Sequence, residues 1–116
     1  MEFIAQNERK TTLKENGKSY RVYLRDISYI KSDSYLSIVH FVTEREPIIV
    51  SKLLKEFEKE LFKYGYLRIS RFILINKVHI FSIGSCKDRV IILKEGEKLT
   101  ISHRKYAKII KIIENP

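Results

Sequence analysis

Closely spaced turn signals divide the chain into many short β-type runs, and this division most constrains the fold. Two strands between residues 10 and 24 enclose Asn16-Gly17, a pair that favours a tight hairpin because both residues tolerate positive φ. Gly84 and Gly96 separate three further short strands, at 80–83, 89–93 and 98–101. The predicted strands far outnumber the predicted helices. The sequence therefore predicts a mainly β domain.

The middle of the chain continues this pattern. A second hairpin is predicted from strands at 27–30 and 35–41, joined by a polar turn at 31–34. A further strand is predicted at 47–50. Residues 66–74 are β-branched and aromatic, which predicts one extended run, and residues 76–79 are typical of a turn.

Two short helices complete the prediction. Ser51 is a suitable N-cap for a helix at about 52–63, and Gly65 suits the exit from it. A closing helix is predicted at about 103–114 because apolar residues recur there at helical spacing. The apolar stripes are Leu53, Leu54, Phe57 and Leu61 in the first helix, and Tyr106, Ile109, Ile110 and Ile113 in the second.

Length and charge limit the class of protein. A chain of 116 residues fits one domain, which we assign to residues 1–116. The formal net charge of +9 favours a polyanionic partner such as DNA, RNA or anionic lipid. Cys86 is the only cysteine, so no internal disulfide can form. No apolar run has the length of a membrane span, and we expect a soluble cytoplasmic protein without a membrane partner.

Residues suited to catalysis or to metal binding are scarce. The chain has three aspartates, none in a close acidic pair, and no glycine-rich phosphate loop. His40, His79 and His103 are far apart in sequence, and neither Cys86 nor a carboxylate stands near them at metal-ligand spacing. We therefore expect no enzyme, no cofactor and no metal site.

Basic and polar residues at turns suit nucleic-acid recognition better. Asparagine can pair with adenine and arginine with guanine, while serine, tyrosine and lysine can hold phosphates. Three segments supply these types: the second hairpin turn, the turn that begins at Asn76, and residues 102–105. If the three segments converge in space, they provide both base and phosphate contacts. Two other readings stay open, namely single-stranded or RNA binding through a basic, aromatic sheet face and a protein-interaction domain.

Four sequence motifs, in order, are similar to those of one known family. They are Ile-Ser-Tyr-Ile-Lys-Ser-Asp at 27–33, Val-Ser-Lys-Leu-Leu at 50–54, Tyr-Leu-Arg-Ile-Ser-Arg-Phe-Ile-Leu-Ile-Asn at 66–76 and Leu-Thr-Ile-Ser-His-Arg at 99–104. On these motifs the chain resembles the LytTR DNA-binding domain, the output module of many bacterial response regulators. The resemblance covers about residues 13–113, which we take as the core of the domain.

The resemblance implies an elongated fold of about ten short strands in packed antiparallel sheets. It further implies sequence-specific binding of double-stranded DNA by loops that enter the major groove, with direct-repeat sites and a role in transcription regulation. The implied base contacts are Asn76, Arg104 and Tyr35. The implied phosphate contacts are Lys31, Arg71, Lys77, Ser102 and Lys105.

The sequence also departs from the family pattern. Ser70 and Phe72 stand where the family usually has His and Ser, and we expect both to have packing roles. Tyr35 stands where some relatives have His. The family's common partners, a second copy of the domain on DNA and a receiver domain or sensor outside this chain, are expected partners here as well.

Overall fold

The computed structural model describes residues 2–114 and contains ten strands in three antiparallel sheets with two short α-helices. The mainly β prediction is confirmed. The strands are β1 (Lys10–Glu15), β2 (Lys18–Tyr23), β3 (Ile27–Asp33), β4 (Leu36–Phe41), β5 (Ile48–Val50), β6 (Tyr66–Ser70), β7 (Ile73–Asn76), β8 (Ile80–Ile83), β9 (Val90–Leu93) and β10 (Lys98–Thr100). The helices are α1 (Leu54–Leu61) and α2 (Tyr106–Glu114).

The largest sheet has five strands in the order β5-β4-β3-β7-β6. A two-stranded sheet of β1 and β2 and a three-stranded sheet in the order β10-β9-β8 accompany it. The predicted first hairpin is confirmed, because Glu15 pairs with Lys18 and the intervening Asn16 and Gly17 have φ of 50° and 80°. Two adjacent residues with positive φ match the right-handed twist of the strands that they join.

Central strands carry apolar side chains on both faces. Leu74 contributes to one core, which lies against α1 and the β1–β2 hairpin. Its neighbour Ile75 contributes to a second core, with Leu99 of the three-stranded sheet and Ile109 of α2. Successive residues of a strand point to opposite faces. The five-stranded sheet is therefore the layer that both cores share.

The first helix begins later than the sequence predicts. Ser51 is not its N-cap; Leu53 occupies that position, and the Glu56 carboxylate accepts a hydrogen bond from the Leu53 N–H at 2.9 Å. The helix passes into a 3₁₀ turn, Phe62–Tyr64, and ends at Gly65, whose φ of 89° confirms the predicted exit. The closing helix likewise begins as a 3₁₀ turn, His103–Lys105, before α2.

Polar contacts close the junction between the five-stranded and three-stranded sheets. The Ser28 hydroxyl donates to Glu95 at 2.5 Å, and the Tyr29 hydroxyl donates to Glu97 at 3.3 Å. Both glutamates follow β9 and precede β10. These bonds therefore attach the β9–β10 turn of the three-stranded sheet to β3. The molecule measures 43 × 30 × 26 Å along its principal axes, in agreement with the predicted elongation. Within residues 2–114, no helix is long and apolar enough to cross a membrane.

Candidate nucleic-acid interface

Three connections meet at one end of the five-stranded sheet. Antiparallel pairing of Lys31 with Ile73 places the β3–β4 turn and the β6–β7 turn at the same end. The Ser32 N–H donates to the Phe72 carbonyl at 2.9 Å and joins these two turns. The Ser102 N–H donates to the Ile69 carbonyl at 2.8 Å, which adds residues 102–105. We call the surface formed by residues 34–35, 71–72 and 102–105 the three-loop surface.

The first loop is a two-residue hairpin turn. Asp33 pairs with Leu36, Ser34 has a φ of 59°, and Tyr35 at the tip is 81% exposed. The turn is thus shorter than the predicted turn at 31–34, since Lys31 belongs to β3, where its side chain is exposed. The structure places Tyr35 at the tip rather than in the following strand.

The second loop interrupts the run that the sequence predicts as one extended strand. Residues 66–76 form a hairpin of β6 and β7 whose turn holds Arg71 and Phe72, and Phe72 is 53% exposed. The Phe72 N–H donates to the Ser70 hydroxyl at 3.2 Å, which ties the turn to the end of β6. The sequence signal for this turn was the adjacent polar pair Ser70-Arg71, which breaks the alternation of apolar and polar residues at 67–70.

Arg68 stabilises the backbone of this second loop. Its guanidinium donates to the Ser70 carbonyl at 2.9 Å and to the Arg71 carbonyl at 2.7 Å, and it forms an ion pair with Glu58 of α1 at 3.0 Å. Planar arginine can make all of these bonds from one position of its side chain. Arg68 therefore orders the loop, a role that sequence reasoning missed.

The third loop joins β10 to α2. Arg104 is exposed, while Lys105 is partly buried between elements. Burial lowers the pKa of Lys105; Glu58 opposes this effect, and Arg68, Lys108 and Arg104 add to it. A cluster of like charges with one carboxylate among them leaves this part of the surface positive. Arg71, Phe72, Ser102, Arg104 and Lys105 line one depression between the second and third loops.

Asn76 does not belong to this surface. Its side chain is 0% exposed, and its Nδ2 donates to the carbonyls of Leu24 at 3.1 Å and Ile27 at 2.9 Å. Its Oδ1 accepts from the Gln6 amide at 2.7 Å and from the Val78 N–H at 3.4 Å. An amide enclosed with its donors and acceptors paired cannot reach a base edge. The structure contradicts the predicted base contact and gives Asn76 a structural role.

Lys77 is also separate from the three-loop surface. It follows β7 at the end opposite Arg71, roughly 13 Å away for a four-residue strand. Its ammonium lies 5.2 Å from the centre of the Phe3 ring, and its backbone N–H donates to the Gly65 carbonyl. Of the predicted site residues, the structure brings five together on the three-loop surface, namely Tyr35, Arg71, Ser102, Arg104 and Lys105, and Lys31 lies beside them on β3, where it pairs with Ile73.

Aromatic side chains on the sheets are mostly covered. Tyr29 is 8% exposed and its ring stacks on His40 with 4.4 Å between ring centres. The Arg25 guanidinium lies 4.2 Å and the Lys10 ammonium 4.7 Å from the centre of the Tyr23 ring. Single-stranded nucleic acids bind by stacking bases on open rings. Among the strand aromatics that the structure describes, Phe81 of β8 is largely exposed, at 73%, and a single open ring offers little of the platform that single-strand or RNA binding requires.

The fold and the surface define a class of protein: a mainly β domain whose basic loops lie together at one end. No recognition helix lies at this end of the described residues. The family model of the LytTr DNA-binding domain matches residues 3–114, so the chain belongs to the LytTR DNA-binding domain family. A solved structure from Bacillus cereus, the LytTr DNA-binding domain of a putative methyl-accepting/DNA response regulator, is similar in fold. It has a TM-score of 0.74 at 22% identity, with 92% of this chain and 97% of that chain covered. The comparison with curated proteins found no match.

Membership of this family supports DNA binding as the general activity and a non-catalytic role for the domain. Within residues 2–114, no three His, Cys, Asp or Glu side chains are grouped so that they could hold a metal ion.

Proposed function

We propose that this domain binds double-stranded DNA sequence-specifically by inserting the three-loop surface into the major groove. The observation that carries the proposal is the convergence of Tyr35, Arg71 and Arg104, which are distant in sequence but are exposed at one end of the sheet. Two backbone hydrogen bonds between the loops support a fixed arrangement. Preorganised contacts need little ordering on binding, which favours tight binding.

Each loop has a distinct role in this proposal. Arg104 supplies a bidentate contact to a guanine, since its guanidinium is exposed and the major-groove edge of guanine offers two acceptors. Tyr35, at the tip of the first loop, contacts a base edge beside it. Lys31, Arg71, Ser102 and Lys105 contact phosphates, which position the domain without reading sequence.

Selection from a random pool of duplexes tests this proposal. The protein is incubated with the pool at two salt concentrations, the retained DNA is sequenced, and affinities are measured by fluorescence anisotropy. We expect one enriched motif and tighter binding of that duplex than of matched single-stranded DNA or RNA. Retained DNA without a motif, or equal binding of all three nucleic acids, would contradict the proposal.

We further propose that the domain is the output module of a transcription regulator and that two copies occupy direct-repeat half-sites. The solved relative from Bacillus cereus is the DNA-binding domain of a putative response regulator, which supports such a role. A receiver domain or sensor outside this chain would then supply the signal. Footprinting at saturating protein should protect two half-sites in the same orientation; protection confined to one half-site would exclude the paired arrangement.

A further inference from the structure

Phe72 is an exposed aromatic residue in the middle of a basic surface. It is 53% exposed at the tip of the second loop, although the sequence predicted a packing role for it. The Arg71 guanidinium lies 5.3 Å from the centre of its ring. Arg104 and Lys105 line the same depression from the third loop. Cations thus flank the ring on the side where DNA is proposed to bind.

The backbone that carries Phe72 is held from both sides. Its N–H donates to the Ser70 hydroxyl, and its carbonyl accepts from the Ser32 N–H of the neighbouring hairpin. Arg68 additionally fixes the carbonyls of Ser70 and Arg71. A phenylalanine side chain has two rotatable bonds, so little conformational freedom is left to lose when the ring meets a partner.

Exposure alone would not single out this residue, because isolated exposed apolar side chains are common on protein surfaces. Phe81 of β8 is 73% exposed and does not line the depression. Position distinguishes the two phenylalanines. Phe72 stands on the middle loop of a surface whose other two loops present Tyr35 and Arg104. Because Asn76 is buried, this loop has no amide with which to read a base.

We propose that Phe72 reads the 5-methyl group of a thymine in the major groove. A phenyl ring can make no hydrogen bond to a base edge, and the thymine methyl is the apolar group that the major groove presents. Arg71 and Lys105, on phosphates to either side, would hold the ring against the base. The inference rests on the proposed function and assigns the middle loop a sequence preference that hydrogen bonding cannot supply.

Replacement of thymine by deoxyuridine removes only this methyl group and is the direct test. Each thymine of the selected duplex is replaced singly, and binding to the wild-type domain is measured by anisotropy. We expect one position to weaken binding by about three- to five-fold, the factor that burial of one methyl group provides. The Phe72→Ala variant should bind the thymine and the deoxyuridine duplexes equally.

Two further variants complete the design. Phe81→Ala, the matched control, should keep the full difference between the two duplexes, and Phe72→Leu should retain much of it because an aliphatic side chain can also contact a methyl group. Thermal unfolding of each variant checks that the fold is intact. A wild-type domain that selects a motif but is insensitive to every replacement overturns the inference and leaves the proposed function standing. Equal methyl sensitivity of wild type and Phe72→Ala also overturns it, whereas absence of duplex binding removes both proposals.

Discussion

Arg104 is the residue whose replacement best probes base reading. We expect Arg104→Ala to weaken binding of the selected duplex by ~1–3 kcal/mol and to broaden the selected motif, as loss of a bidentate guanine contact would. Arg21→Ala is the matched control, because Arg21 is exposed on β2 outside the three-loop surface. It should leave the motif unchanged. Unaltered affinity and motif in Arg104→Ala would remove this arginine from the proposed base contacts.

Replacement of Asn76 should change the stability of the fold. Asn76→Ala removes one buried hydrogen-bond partner from the Leu24 carbonyl, the Ile27 carbonyl and the Gln6 amide. The Leu24 carbonyl keeps its bond from the Tyr66 hydroxyl, so we expect the free energy of unfolding to fall by about 1–3 kcal/mol. Urea titration measures this change. Gln6→Ala disturbs the same network, and the two substitutions together should cost less than the sum of the single effects, by about 0.5–3 kcal/mol.

The DNA motif supplies the control for that experiment. If Asn76 is purely structural, the folded fraction of Asn76→Ala should select the same motif as the wild type. A changed motif with unchanged stability would mean that the amide leaves its buried site and reaches DNA after all.

At the scale of elements, the β6–β7 hairpin depends on an arginine that lies beneath it. Arg68→Ala should weaken duplex binding by roughly three- to ten-fold because a loosened turn must be ordered on binding. Hydrogen exchange of the Phe72 amide should accelerate in the same variant, since its bond to Ser70 is no longer supported.

Arg68→Lys separates bracing from charge. Lysine keeps the positive charge but cannot form the planar fork to two carbonyls and Glu58. We expect this variant to behave like Arg68→Ala in both assays. Full recovery of binding by lysine, with exchange still fast, would mean that Arg68 acts on DNA through its charge.

At the scale of the whole molecule, the proposed function directs the three-loop surface, and not the opposite end of the sheet, toward DNA. Lys105→Ala should reduce the slope of log K against log salt concentration by about one unit, as expected for one lost phosphate contact. Lys77→Ala should leave the slope unchanged, because Lys77 lies at the other end of β7 beside Phe3. A comparable reduction by both variants would place DNA along the side of the sheet rather than at the three-loop surface.

The junction between the two larger sheets gives the molecule a dependence on alkaline pH. Burial raises the pKa of Tyr29 from 10.0 to about 12, and Glu97 and Glu95 act in the same direction. The folded protein therefore holds this proton more tightly than the unfolded chain. The stability from neutral Tyr29 is present in full below about pH 10 and is lost as the pH rises toward 12.

Urea unfolding between about pH 9 and pH 11.5 checks this expectation. The free energy of unfolding should decline less steeply in Tyr29→Phe than in the wild type, because phenylalanine has no proton to lose. Tyr66, whose pKa is also raised by burial, is present in both proteins, so its ionisation changes the free energy of unfolding equally in each. Identical pH profiles would show that Tyr29 does not contribute.

The sequence by itself determined the family and most of the elements. The Asn16-Gly17 turn, the exit at Gly65 and the apolar spacing of α2 each depend on a few neighbouring residues, whose conformational preferences are local. The order of the motifs identified the LytTR family. The start of α1 was predicted too early although its determinant is local, because the Glu56 carboxylate, three residues away, accepts from the Leu53 N–H and fixes the cap beyond Ser51.

Only the tertiary structure decided which of the candidate residues are exposed at the three-loop surface. Asn76 and Phe72 lie within a single motif, yet contacts with Gln6 and Leu24 bury the first, and the turn between β6 and β7 exposes the second. Exposure depends on elements distant in the chain, and the convergence of Tyr35, Arg71 and Arg104 depends on strand pairing across the sheet. These strand pairings cannot be read from a single sequence, because they result from the packing of two cores against one shared sheet.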